Sequence, residues 1–264
     1  MGIVLGRYAL AEAWQQRLLP ILSLAGGLLL GLALVLRGLD FGDAELTFLA
    51  DFVYGLIYLL GTVAALWLPI RGLETLRTSG QLSLWLTQPV HRSDLIAGLL
   101  LGYALVVLTW AAMATAAGTL LLAWRATELG QPFQLLDFAL GGLIQGLRLT
   151  VVVSMAVAAS AFFRTATLAG FMSVFLVAIA QLQHRAVDLW SRPESGWTQL
   201  PAGALAAIFP NFRLFELPTA PLLTEGYPAA FLASTAGYGL LYVGLYGALA
   251  AGLFATRRHE EDER

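Results

Sequence analysis

Apolar side chains run almost unbroken over 18–36, 48–70, 95–123, 138–163, 168–185 and 229–255, and this pattern constrains the fold more than any other feature. A helix needs about 20 apolar residues to cross a ~30 Å hydrocarbon core. The fifth stretch is the weakest: it is clean only over 168–182 and spans once Gln181 and Gln183 are drawn in. Charged residues make up only 12% of the chain and apolar ones 58%, whereas a soluble domain carries about 25% charge. The sequence therefore predicts an all-α, polytopic membrane protein with six transmembrane helices in a single domain, 1–264.

Arginine placement orients the predicted bundle. With the N-terminus inside, the inner segments hold nine Arg and the outer ones five, the bias expected of cytoplasmic loops. Both termini are thus expected in the cytoplasm of a bacterial cell with the chain in its plasma membrane. The absence of Lys beside fifteen Arg fits a GC-rich bacterial genome. Residues 3–17 read as an interfacial elbow helix, with Ile3, Leu10 and Trp14 on one side and Glu12, Gln15 and Gln16 on another. Two connections are long. The cytoplasmic one, 71–94, offers a short helix near 73–78 and a break at Gly80. The outer one, 186–228, holds six of the ten prolines. Its apolar piece 202–209 is about 12 Å long as a helix, so it can dip into the bilayer and return but not cross.

Several functions are excluded by residue type. Without Cys there is no disulfide, thiolate metal site or Cys nucleophile. Without Lys there is no P-loop ammonium and no Schiff base. A formal charge of −2 gives no basic surface for nucleic acid. His91, His184 and His259 fall on both sides of the membrane, and neither H-E-x-x-H nor G-x-S-x-G occurs. The chain is expected to be non-catalytic, with no metal and no cofactor of its own.

Two charges lie inside predicted spans. Arg148 sits ten residues into the fourth, ~15 Å deep, where insertion costs about 2.5–3.5 kcal/mol. Either it bonds carbonyls, Gln145 or a second subunit, or it lines a polar pathway. Asp51 lies near the start of the second span, at too different a depth to pair with Arg148 directly. Glycines four apart (Gly27/Gly31, Gly98/Gly102, Gly142/Gly146) permit close helix approach. With this much glycine about three such pairs arise by chance, so the spacing alone carries no information. No repeat relates the two halves, unlike carriers built on inverted repeats.

The 71–94 connection has a distinctive order: acidic Glu74, Gly80, a Leu-rich run at 82–86, then Pro89-Val90-x-Arg92-Ser93-x-Leu95-Ile96-x-Gly98. With the Pro210-Asn211-x-x-x-Phe215 stretch, it resembles the membrane subunit of type-2 ABC exporters, the ABC-2 permease family. Gln81 stands where members often have Thr, and Leu99 where they often have Lys. The resemblance implies a permease that moves a substrate by alternating access. It would act with a separate ATP-binding ABC subunit that holds ATP and Mg, and with a second permease copy. It also implies that 71–94 is the segment coupled to the ATPase, with Glu74, Gly80, Pro89, Arg92 and Ser93 as contact or shaping residues. Two other readings stay open: an ion-coupled carrier, with Arg148 or Asp51 in its relay, and a non-transporting assembly scaffold.

Overall fold

The computed structural model describes residues 18–36, 44–80, 92–190, 203 and 207–256. Among them every regular element is helical: α1 (Leu18–Leu36), α2 (Glu45–Thr78), α3 (Arg92–Leu129), α4 (Leu135–Phe162), α5 (Ala166–Trp190) and α6 (Ala229–Thr256). Two single 3-10 turns, Phe212–Phe215 and Ala220–Leu223, lie between α5 and α6. Helices α2 to α6 are long and apolar enough to cross a membrane. Helix α1, over the first expected span, has 19 residues and is about 28 Å long, at the margin of a ~30 Å core. The expected elbow helix and Pro89 lie outside the described residues.

Helix lengths depart from the expected spans where nothing breaks the helix. Leu73, Glu74, Leu76 and Arg77 are strong helix formers, and no Gly or Pro stands between Gly72 and Gly80. The short helix expected at 73–78 is therefore the end of α2, which runs 34 residues, or ~51 Å. Gly80 ends it with φ +71°, a left-handed conformation that costs other residues energy. Helix α3 extends past its expected span to Leu129, and Gly130 turns the chain at φ +64°.

Helix α4 is the axis of the bundle. It is buried around its whole circumference from Ile144 to Ala161 apart from the half-buried Leu147, the pattern of a helix with neighbours on every side. It packs on α2, α3, α5, α6 and both 3-10 turns. Small residues set the closest crossings. A methyl group on Gly141 would overlap the Tyr54 hydroxyl, and one on Gly142 would overlap Thr115. Gly27 and Gly31 face open space. Of the spaced pairs, Gly142/Gly146 is thus a true close approach, against α3, and Gly27/Gly31 is not. Helices α5 and α6 present apolar rows outward, including Phe171, Val174 and Phe175, and Leu240, Leu241 and Leu245. Such surfaces suit lipid or a second apolar protein face.

Candidate functional site

The connections place functional residues at two ends and at mid-depth. One end gathers the last turns of α2, the start of α3 and the three-residue turn 163–165 between α4 and α5; we term it the Gly80 end. At the Gly80 end Glu74 pairs with Arg71, one turn earlier, at 2.9 Å. Arg71 also lies over the Trp67 ring, 4.9 Å from its centroid. These residues border a groove of about 430 Å³ between α2 and the first turns of α5, closed on the far side by Ala166, Gly170 and Phe171. Ser93 is exposed beside Asp94, with 3.5 Å between their oxygens. Arg92 opens α3.

Arg77 is the residue that sequence reasoning missed here. Its guanidinium donates to the carbonyl oxygens of Ser160 at 2.7 Å, Phe163 at 2.9 Å and Arg164 at 3.4 Å. The last carbonyls of a helix lack intrahelical partners and sit at its negative dipole end, so a cation satisfies both needs. The end of α2 is thereby clamped to the α4–α5 turn. In sequence Arg77 reads only as one more cytoplasmic charge, because its partners lie more than 80 positions away.

At mid-depth Arg148 and Gln145 both point into the bundle and are buried. Arg148 is thirteen residues into α4, ~20 Å from its start. Its Nη2 donates to Gln181 Oε1 and to Glu216 Oε1, each at 3.2 Å. Its guanidinium lies 3.7 Å from the centroid of the Tyr58 ring and 5.3 Å from that of Phe212. Tyr58 also accepts a hydrogen bond from Gln181 Nε2. Gln145 does not accept from Arg148, contrary to the expectation; it donates to the Phe215 carbonyl at 2.9 Å. Asp51 accepts from Thr219 at 3.0 Å and has no bond to Arg148.

These partners reveal how deep the α5–α6 connection goes. Tyr238, Tyr242 and Tyr246 stand four apart on one face of α6. Tyr246 donates to the Ile208 carbonyl, Tyr242 to those of Ala207 and Phe209, and Tyr238 accepts from the Asn211 amide. Tyr246 lies ~25 Å along α6 from its start, so Ile208 is near that depth. The chain then climbs past Gln145, Arg148 and Asp51 to the α3–α4 turn, where Gln134 donates to the Leu222 carbonyl at 2.8 Å. Phe212 and Phe215 are fully buried on the way. Dipping backbone is tolerated at membrane depth when protein covers it, and tyrosine hydroxyls supply the hydrogen bonds. The segment that enters the bundle thus includes 207–222 and reaches beyond the apolar piece 202–209. Nearer the α3–α4 turn, Tyr227 donates to the Pro218 carbonyl, and burial pushes its hydroxyl up to about 12. The tyrosine stripe was a legible signal, whereas Glu216 as partner of Arg148 was not.

Arg125 ties the other end together. It forms a two-pronged pair with Glu45, at 2.6 and 2.9 Å, and also meets Glu128. The start of α2 is thus bound to the end of α3.

The family model described as ABC-2 family transporter protein matches residues 11–193, more than two thirds of the chain. The matched stretch includes α1 to α5, Glu74, Gly80 and Arg148, and stops before Glu216 and α6. No curated protein matches the chain.

Proposed function

Because the chain belongs to the ABC-2 family of transporter proteins, and is thus a multi-pass membrane subunit that associates with an ATP-binding ABC subunit, we propose that it exports a substrate by ATP-driven alternating access. The working unit contains a second permease copy and two ATP-binding subunits, which hold ATP and Mg and carry out hydrolysis. This chain is non-catalytic. Its 264 residues hold no Lys, so the ammonium that grips phosphates is supplied by the partner. The bundle has six spans, with α1 as the first, an elbow helix at 3–17 and both termini in the cytoplasm of a bacterial plasma membrane.

The observation that carries the coupling reading is the Arg77 clamp. Segment 71–94 is the docking element, with Glu74 and Arg92 offering charge, Ser93 offering a hydroxyl, and Gly80 and Pro89 setting its shape. Closure of the ATP-binding subunits moves the end of α2. That helix runs without interruption, through Pro69, from Glu74 to Asp51, where Thr219 of the dipping segment is attached. Through Arg77 the same movement reaches the α4–α5 turn. Such coupling requires that nucleotide bind the two states with different affinity. Reversing the charge at Glu74 or Arg92 should lower transport per ATP hydrolysed, or release the ATP-binding subunit. Unchanged stimulation and unchanged transport in both variants would refute the docking assignment.

A further inference from the structure

Arg148 is engaged far below its capacity. A guanidinium grips an oxyanion best through two parallel bonds of roughly 2.7–2.9 Å. Here only Nη2 is used, at 3.2 Å, and it is shared between Gln181 and Glu216. Among the described residues the buried Nε has no hydrogen-bond partner, and neither does the buried Oε1 of Gln145 one turn away. The counter-ion is only half covered: the Glu216 side chain is 55% exposed against 4% for Arg148. The Tyr58 and Phe212 rings lie against the guanidinium and help to hold it in place.

We propose that the Nε/Nη2 edge of Arg148 binds the oxyanion of a transported molecule, with Glu216 as the resting counter-ion that the oxyanion displaces. The substrate role rests on the transport reading above; the binding site does not. Oxyanion binding satisfies the idle Nε and replaces one long contact with a two-pronged one. Glu216, on the dipping segment, is displaced from the guanidinium in the exchange. Depth bears on the source of the oxyanion. Arg148 lies near the middle of α4, and the residues beside Tyr58 and Gln181 in sequence, Leu59 and Leu182, are exposed apolar side chains. A phosphate head group on an amphipathic body reaches such a site through the bilayer. A free oxyanion needs an aqueous path.

The test uses the full chain in maltoside micelles, which carry no phosphate, without the ATP-binding subunit. In one arm phosphatidylglycerol is titrated into the micelles; in the other inorganic phosphate is added; bound ligand is measured directly. The expected result is opposite signs. Glu216→Gln removes the competitor and tightens binding, roughly tenfold if the pair is closed about nine tenths of the time. Arg148→Gln abolishes binding, and Arg148→Lys, which keeps the charge but loses the fork, retains a weakened form. This pattern with phosphatidylglycerol identifies a head-group site; the same pattern with phosphate alone identifies a free-oxyanion site. If Glu216→Gln weakens binding, or if binding is indifferent to residue 148, Arg148 is only a structural partner of Glu216 and the proposal is overturned. Because no nucleotide enters the assay, failure of ATP coupling leaves this result intact, and failure here leaves coupling intact.

Discussion

Replacing Arg77 with Ala removes the clamp while leaving both helices otherwise unchanged. Of its bonds to the carbonyls of Ser160, Phe163 and Arg164, two are short, at 2.7 and 2.9 Å, and the third is 3.4 Å. A hydrogen bond to a charged group contributes about 1.5–3 kcal/mol, and partial exposure of Arg77 favours the low end. A cation at a helix C-terminus contributes about 0.3–1 kcal/mol and overlaps with the same bonds. Counting the two short bonds alone, and discounting that overlap, gives a loss of about 2–3 kcal/mol in the local stability of the α4–α5 turn. At 1.4 kcal/mol per factor of ten this is about 30–150-fold. Amide hydrogen exchange reads it directly. Protection should fall by that factor at Phe163 and Ala169, whose amides bond to the Ala159 and Thr165 carbonyls, with little change at the middle of α4. Arg77→Lys should recover only part, because an ammonium cannot span three carbonyls as a planar fork does. Transport should drop in the Ala variant while the ATP-binding subunit still docks. Protection changed less than threefold, or lost evenly along α4, would refute the clamp.

Gly141→Ala forces a methyl group against the Tyr54 hydroxyl, which donates to the Phe138 carbonyl; overpacking of this kind costs about 1–3 kcal/mol. Gly27→Ala meets open space, so thermal unfolding in detergent should separate the two, and equal midpoints would contradict the packing. Orientation is testable on a chain with no native Cys. Single Cys residues at Ser79 and Thr165 should resist an external maleimide in intact cells and one at Thr127 should react; the reverse pattern would invert the bundle.

The extent of the apolar runs made the helical membrane class legible, because length and hydropathy are local properties. Helix ends were less legible. Leu73, Glu74, Leu76 and Arg77 are good helix formers beyond the end of the apolar run, so a reading keyed to hydropathy ended the span at Ile70 while the backbone continued to Thr78. Gly80 was readable as a break, since a positive φ is a property of one residue. The polar centre divides the same way. Arg148 stood out as a charge among Leu and Val, but its partners Tyr58, Gln181 and Glu216 are 90, 33 and 68 positions away and carry no local pattern. Arg77 was hidden for the same reason. The Tyr238, Tyr242 and Tyr246 stripe was visible as a four-residue spacing, yet nothing local says what its hydroxyls hold.

If this chain works as the membrane half of an ATP-driven exporter, ATP must drive transport through it. The most direct measurement reconstitutes it with its ATP-binding subunit in sealed vesicles and follows substrate flux with ATP, without ATP, and with an imposed ion gradient in place of ATP. The expected flux requires ATP and both chains, and is lost when Glu74 is changed to Arg while the fold is retained. Flux driven by the ion gradient without ATP, or ATP-dependent flux indifferent to the 71–94 segment, would contradict it.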